Sequence, residues 1–456
     1  MEIISRRKFL KSTALTGAGL IVAPTIVPSH VFGANAPSER INVGAIGTGR
    51  QGQGFDMPGI MKFDVCNMVA VCDLDPNRAK DAKTLVENFC EKNRKPKPTV
   101  TIYENYEDVL ANKDIDAVIV CTPDHWHAKI AVDAVRAGKD IYLEKPTSLT
   151  IEEGRLMSNA VNATGRVFQL GSQQRSSSQF RVACELVRSG RIGKLKLVEV
   201  RLPGDPAGGN TTEMPIPAGF NYEKWLGSTP YVYYTEDRVH PQKGYGRPGW
   251  LRCEQFGAGM ITGWGVHHFD IAHWGMGMEY SGPVEVYGEA EFAHSGLWDV
   301  HGEYHTEMKY ADGVIVRGCT DSPEKPNGIY FEGTDGWIFV CRGRYTVTAS
   351  DPKTNSSSQA LQASDPNILT EPLGEKDVHL YVSEDQHGNF LDCVKSRQLT
   401  VSPAEVAHRS CSVCLLQHIA MKLRRKLDWD PINERFINDD EANAMLSRPM
   451  RAPYNI

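Results

Sequence analysis

The regular alternation of apolar and polar positions begins at residue 41. Ile41, Val43 and Ile46 form a short apolar run that ends in glycines, and residues 68–72 form a second run that ends at Asp73. A helical stretch follows over 76–92, then a polar, proline-containing loop over 93–98 and a short helix over 106–110. Residues 115–121 read as a buried strand, 128–137 as a helix closed by Gly138, and 141–143 as another strand. Residues 167–171 look like the last strand of this series. Strands alternating with helices predict a parallel, doubly wound sheet. Beyond it the pattern changes. A helix over 179–189 leads into 195–201, whose period of two suits a half-buried strand. Further strands are expected at 284–290, 304–310, 313–318, 328–333 and 337–340, and helices at 389–395 and 403–427. The serine- and asparagine-rich stretch 351–365 reads as a mobile loop.

The first turn of this pattern carries chemistry. Gly47, Gly49 and Gly52 give G-x-G-x-x-G where a strand should become a helix. The first glycine permits the tight turn, the second lets backbone approach a pyrophosphate, and the third allows close helix–strand packing. The loop Gly47-Thr48-Gly49-Arg50 and Gly52 would thus bind phosphates at a helix N-terminus. Asp73 ends the second strand, twenty-one residues beyond Gly52. A carboxylate there accepts hydrogen bonds from the adenosine ribose and repels a 2′-phosphate, so NAD is expected and NADP disfavoured. This is a Rossmann-type nucleotide-binding domain, placed at 41–166.

Length and composition add limits. A chain of 456 residues suggests two domains, and a net charge of −6 with no basic patch argues against nucleic acid. The eleven cysteines are scattered. Cys411 and Cys414 lack a second pair to complete a zinc site, so no metal is expected and these thiols read as core. Residues 5–11, Ser-Arg-Arg-Lys-Phe-Leu-Lys, form a twin-arginine export signal, with the signal peptide taken as 1–36. A periplasmic location follows as an expectation, with a membrane tether only if the signal stays uncleaved. No other stretch is long and apolar enough to span a bilayer. An enzyme exported into a compartment without a soluble NAD pool should hold its cofactor tightly.

Several motifs together resemble the Gfo/Idh/MocA family of NAD(P)-dependent oxidoreductases. They are Gly47 to Gly52, Asp73, Thr122-Pro123 with His127, and Glu144-Lys145-Pro146. The resemblance runs from about residue 41 to 430, and His125-Trp126-His127 resembles a subgroup common among exported bacterial members. It implies that Thr122, Pro123, His127, Glu144 and Lys145 line the cofactor site and that Lys145 also faces the reacting carbinol. It implies a second domain, 167–430, of α+β type with an open, mainly antiparallel sheet that often pairs subunits, hence a homodimer or homotetramer. The tail 431–456 has no readable role. Residues 257–271 match the family's second signature, and His267 aligns with its catalytic histidine. The family commonly carries an aspartate four residues earlier, where this chain has Gly263. Asp270, one turn along, is the available substitute for orienting His267. Gln174, Arg175, His268 and Asp270 are the expected substrate-binding residues. The aromatic-rich stretch 203–257, with Trp225, Tyr231, Tyr233, Tyr234 and Trp250, offers faces that suit a sugar ring.

The expected activity is NAD-dependent oxidation of a sugar or glycoside hydroxyl, with C3 oxidation to a keto sugar favoured. His267 would take the hydroxyl proton and Lys145 would hold the oxygen. Two rivals stand beside it. One is a redox-neutral NAD-dependent glycosidase, against which the presence of Lys145 counts. The other is a non-enzymatic sugar- or NAD-binding protein, which Gly263 favours and the pairing of Lys145 with His267 opposes.

Overall fold

The computed structural model describes residues 40–343 and 354–456. The export signal at 5–11 and the first residues of the 351–365 loop lie outside them. The first domain builds β1 (Ile41–Ile46), a π-helical turn at Gly52–Asp56, α1 (Met57–Met61), β2 (Cys66–Cys72), α2 (Pro76–Lys92) and β3 (Thr101–Tyr103). It continues through α3 (Tyr106–Ala111), β4 (Ala117–Val120), α4 (Asp124–Arg136), β5 (Asp140–Leu143), α5 (Ile151–Thr164) and β6 (Phe168–Leu170). All six strands are parallel, in the order β3-β2-β1-β4-β5-β6. The order reverses between β1 and β4, which opens a crevice beyond their carboxyl ends. The runs β4 and β5 are buried throughout, as a sheet covered on both faces requires.

The second domain begins with α6 (Ser178–Arg188) and β7 (Leu195–Leu202). A long irregular segment containing α7 (Tyr222–Leu226) leads to α8 (Met260–Gly263) and α9 (Gly265–Met276). Then come β8 (Glu285–Phe292), β9 (His301–Lys309), β10 (Ile315–Thr320), β11 (Gly328–Gly333), β12 (Trp337–Val340) and β13 (Leu361–Ala363). The chain closes with α10 (Pro366–Thr370), α11 (Gln386–Ser396), α12 (Ala404–Leu423), β14 (Leu427–Asp430), β15 (Arg435–Phe436) and α13 (Asp440–Ala444). Nine strands form one sheet, ordered β13-β12-β11-β7-β10-β9-β8-β14-β15. Among the described residues, only β7 and β10 of these strands pair in parallel. In β8, Val286, Gly288 and Ala290 face the core while Glu289 is exposed, the alternation of a sheet with one covered face. Helix α12 is buried nearly all round, and Cys411 and Cys414 are core thiols within it.

Four sequence expectations change. Helix α4 starts at Asp124, not 128, because extended Pro123 ends the loop as its N-cap and helical backbone begins at the next residue. Helix α12 stops at Leu423, short of 427, where Arg424 turns left-handed (φ 51°) and redirects the chain into β14. Strand β3 was not expected, since its edge residues Thr101 and Ile102 are exposed and show no apolar pattern. The stretch 351–365 is not wholly loop: Leu361–Ala363 pairs with β12, and Asp365 caps α10 by accepting from Asn367 N.

Candidate active site

The turn after β1 builds a phosphate cradle. Gly47 adopts φ +82°, and a Cβ there would lie 2.7 Å from Cys121 and Thr122 backbone atoms. A Cβ at Gly52 would lie 2.6 Å from Gly47 O, so this glycine lets the helix pack on the loop. Gly49 is different. Its missing side chain leaves open space, with only Arg78 Nη1 at 3.6 Å. Thr48 is turned inward, its N–H and hydroxyl donating to Asp73 Oδ2 at 2.8 and 3.2 Å. Asp75 N donates to Asp73 Oδ1 at 3.0 Å, which fixes the carboxylate at the end of β2.

This turn opens into a cleft of about 640 Å³ between the two domains. Gly47, Gly49, Arg50 and Asp73 line one end. Thr122, Pro123, His127, Glu144 and Lys145 line it from the ends of β4 and β5, and His267 reaches it from α9. Trp225 and Trp250 also line it, whereas Tyr234 is core and Tyr231 is exposed. The glycine turn, the carboxylate at the end of β2 and an open wall along the cleft fit a dinucleotide.

The electrostatics at the far end set protonation states. Burial, then the charges of Arg342, Lys145 and His268, hold His267 well below the usual histidine range. Its Nδ1 is buried without a hydrogen-bond partner. The ring is therefore neutral near neutral pH. Burial, then Asp56, pushes Glu144 up to about 8 against the pull of Lys145. Glu144 accepts from Gln173 Nε2 at 2.8 Å and from Lys145 N at 3.3 Å. His127 lies with Nδ1 2.5 Å from Pro146 O and Nε2 2.8 Å from Thr122 O, tying together the loops after β4 and β5. Burial holds it down to about 4, so the neutral ring donates to one of these carbonyls only. His127 therefore acts on the cleft chiefly by fixing its walls.

The four residues expected to bind substrate do not line the cleft. Arg175 and Asp270 face each other in the core, 2% and 0% exposed. Arg175 Nε and Nη2 donate to Asp270 at 2.6 and 2.8 Å, and Nη1 donates to Glu279 at 2.8 Å. Ser172 and Ser410 also donate to Asp270, so it cannot orient His267. His268 is wedged between Gln174 and Asn327 on the far side of α9. The Gln174 amide, with its oxygen accepting from Arg342 Nε at 3.0 Å, donates to His267 O at 2.8 Å and supports the histidine from behind. Sequence reasoning missed Arg78, Asp124, Arg247, Trp264, Arg342 and His387, all of which line the cleft. Asp124 and Trp264 lay inside recognised motifs, and the others arrive from segments with no catalytic or binding signal of their own.

Arg78 lines the cleft beside Gly49. It donates to Pro241 O at 2.9 Å and lies 3.7 Å from Asp75, with its guanidinium over Tyr245. Tyr245 also bonds Gln53 and Asp81, and His240 reaches Asp75. Part of the irregular segment is thus pinned against α2 and the helix that follows the glycine turn.

A parallel sheet with a glycine turn and a strand-end carboxylate, joined to an open mixed sheet across one cleft, defines a dinucleotide-binding oxidoreductase. Residues 41–172 match the oxidoreductase family's NAD-binding Rossmann domain, and residues 207–355 and 370–456 match its C-terminal alpha/beta domain. The chain belongs to the Gfo/Idh/MocA oxidoreductase family. It is 29% identical over 211 residues to a glycosyl hydrolase family 109 protein of Shewanella putrefaciens, covering 43% of this chain and 45% of that protein. The match therefore spans less than half of that relative's length. Among solved structures, the WlbA dehydrogenase from Bordetella pertussis, in complex with NADH and UDP-GlcNAcA, aligns with a TM-score of 0.61 at 15% identity over 86% of this chain and 99% of that one. A levoglucosan dehydrogenase in complex with NADH and levoglucosan aligns with a TM-score of 0.58 at 17% identity, over 85% and 99%. At these identities the structural likeness speaks to fold alone.

Proposed function

We propose that this oxidoreductase acts on a hydroxyl of a sugar or glycoside, with C3 oxidation to a keto sugar favoured, using NAD held as a tightly bound cofactor. The observation that carries the reading is that Lys145 and His267 line the same cleft as the glycine turn and Asp73. NAD, when bound, supplies the two-electron acceptor. Gly47, Gly49, Arg50 and Asp73 would hold its adenosine and phosphate end, and Thr122, Pro123 and Glu144 the other. His267, neutral in its buried setting, accepts the hydroxyl proton. Lys145 donates to the substrate oxygen as charge develops there. Asp73 disfavours a 2′-phosphate through like-charge repulsion of order ~1 kcal/mol.

The test uses the purified protein without added nucleotide. Release by acid or heat should yield NAD(H) close to stoichiometrically and little NADP(H). Incubation with glycosides and a keto-sugar acceptor should give product lighter by two hydrogens in mass spectrometry. Finding no oxidised product with any glycoside overturns the substrate reading, and recovering only NADP overturns the role of Asp73. The similarity to proteins named as glycosyl hydrolases favours a second reading, redox-neutral cleavage of a glycoside. Release of aglycone without any acceptor would decide for it. The same proposal includes periplasmic export through the twin-arginine signal and a homodimer or homotetramer assembled through the open sheet.

A further inference from the structure

His127 ties the loops after β4 and β5, and the other two residues of its motif hold a helix of the second domain. His125 Nε2 lies 2.8 Å and Trp126 Nε1 3.0 Å from the carbonyl oxygen of Trp225. A carbonyl only accepts, so both rings donate to this one oxygen of α7. Gly227, just past α7, takes φ +54°, and a Cβ there would lie 2.6 Å from Trp126 Cζ2, so the indole rests on this backbone. Tyr454 of the tail packs edge-on against Trp126, with ring centroids 5.5 Å apart.

The start of α7 is tied to the nucleotide domain as well. Asn221 N donates to Leu74 O at 3.3 Å, and Asn221 Nδ2 donates to Glu104 Oε1 at 2.8 Å. Lys224 Nζ donates to Asn105 Oδ1 at 2.9 Å and Glu107 Oε2 at 2.8 Å, and lies 5.7 Å from the centre of the Tyr106 ring. Leu74 packs on the small apolar cluster that contains Trp225 and Phe256. These ties join residues that line the cleft: Leu74, Glu104, Tyr106 and Trp126 from the nucleotide domain, Lys224 and Trp225 from the second. Their place along it follows from the sheet. Leu74 follows Asp73 beyond β2, and Glu104 follows β3. Lys145 lies beyond β5, three strands away from β2. At a strand spacing of about 4.8 Å that separation is about 14 Å. Helix α7 therefore closes on the Asp73 end of the cleft, away from Lys145.

We propose that Lys224 and Trp225, held in place by His125 and Trp126, are the second domain's half of an adenine site, so that NAD is clasped at its adenine between the two domains. The proposal rests on the reading that NAD runs along the glycine turn with its ribose at Asp73, and it is independent of the substrate. Tyr106, Trp126, Trp225 and Leu74 offer the flat and apolar contacts that a purine takes. The Lys224 ammonium adds a cation beside the base. This assigns Trp225 to the cofactor and not to a sugar ring. It also gives retention of NAD a physical basis, because the adenine leaves only when the ties of α7 to α3 and α4 let go.

The experiment needs no turnover. The NAD-loaded full chain is mixed with excess isotopically labelled NAD, or with 1,N6-etheno-NAD, whose base carries an additional ring. Bound nucleotide is then read by mass spectrometry after rapid desalting. Wild type should take up the etheno analogue about tenfold less than labelled NAD, since a base enclosed on both sides has no room for the extra ring. In Lys224→Ala and Trp225→Leu, bound NAD should exchange about tenfold faster and the preference for NAD over the analogue should fall several-fold. Trp225→Phe, which keeps an aromatic face, should retain most of both. A merely structural role would speed the exchange of both nucleotides alike and leave their ratio unmoved. Equal uptake of the two by wild type, or an unchanged ratio in folded Lys224→Ala, overturns the proposal. If NAD exchanges freely in wild type, the reading of a retained cofactor falls while the ratio still decides the adenine site, so the two failures are distinguishable. If Trp225→Leu does not fold, Lys224→Ala carries the same comparison.

Discussion

Arg175 and His267 show what decides a residue's role. Both fall in motif-rich stretches, yet one is sealed in the core and the other opens on the cleft. Arg175 makes a two-pronged pair with Asp270 and a further bond to Glu279, with Trp274 beneath its guanidinium. Removing one partner leaves the other charge buried and uncompensated. Arg175→Ala is therefore expected to destabilise the fold by about 3–5 kcal/mol, measured by denaturant unfolding. The NAD content of the folded fraction should be unchanged, since the pair does not line the cleft. A mild loss of stability with a large loss of substrate affinity would instead return Arg175 to the binding site.

At the scale of elements, the turn from β1 into its helix separates two uses of glycine. Gly47 is needed for backbone shape, because its φ of +82° and the 2.7 Å approach to Cys121 and Thr122 exclude a side chain. Gly49 is needed for access, because the space beside it is open. Gly47→Ala should lower both melting temperature and NAD content. Gly49→Ala should change stability by no more than an ordinary surface substitution, about 0.5 kcal/mol, and still lose NAD, as assayed by nucleotide release. Equal loss of stability in both variants would contradict this division. The three glycines, their spacing and the strand before them were legible in the sequence. The pinning of Tyr245 and His240 against Asp81 and Asp75 was not, because those contacts join residues far apart in the chain.

For the whole molecule, buried histidines shape the response to pH. Burial lowers His125 and His268 to about 3, and His127, His273 and His301 to about 4. A histidine depressed in the folded state contributes stability that is fully present above its unfolded value of 6.5 and is lost as pH falls toward the folded value. Glu254 and Glu405, both held at about 2, act in the same direction at lower pH. Asp124 and Glu144, raised to about 8, oppose it, since their contribution falls as pH rises from the ordinary carboxyl range to about 8. Glu153, Asp205, Asp299 and Asp321, also raised, oppose it as well, while His267 and His408 are lowered like the other five rings, so seven histidines act against six acids. Unfolding midpoints in denaturant should therefore drop steadily below about pH 6.5, each titrating histidine contributing up to about 1.4 kcal/mol per pH unit. A flat profile down to pH ~4.5 would show that the buried rings do not govern acid stability.

The sequence by itself determined the strand–helix alternation and the glycine turn with Asp73, while the candidacy of Lys145 and His267 came from the resemblance to the family. The first two are readable because strand and helix periods, and the backbone demands of a phosphate turn, are local properties of the chain. The strands 328–333 and 337–340 were likewise legible, each with its own apolar pattern. Only the tertiary structure decided which polar residues of one helix face water and which face the core. His267 and Asp270 lie a turn apart on α9, yet the first lines the cleft and the second is enclosed by Arg175, Ser172 and Ser410. It also brought Asp124, Arg247 and Arg342 to the cleft from three distant segments. Charge pairing and burial depend on what packs opposite a side chain, and that is set by the meeting of two sheets across a cleft, which no local pattern encodes.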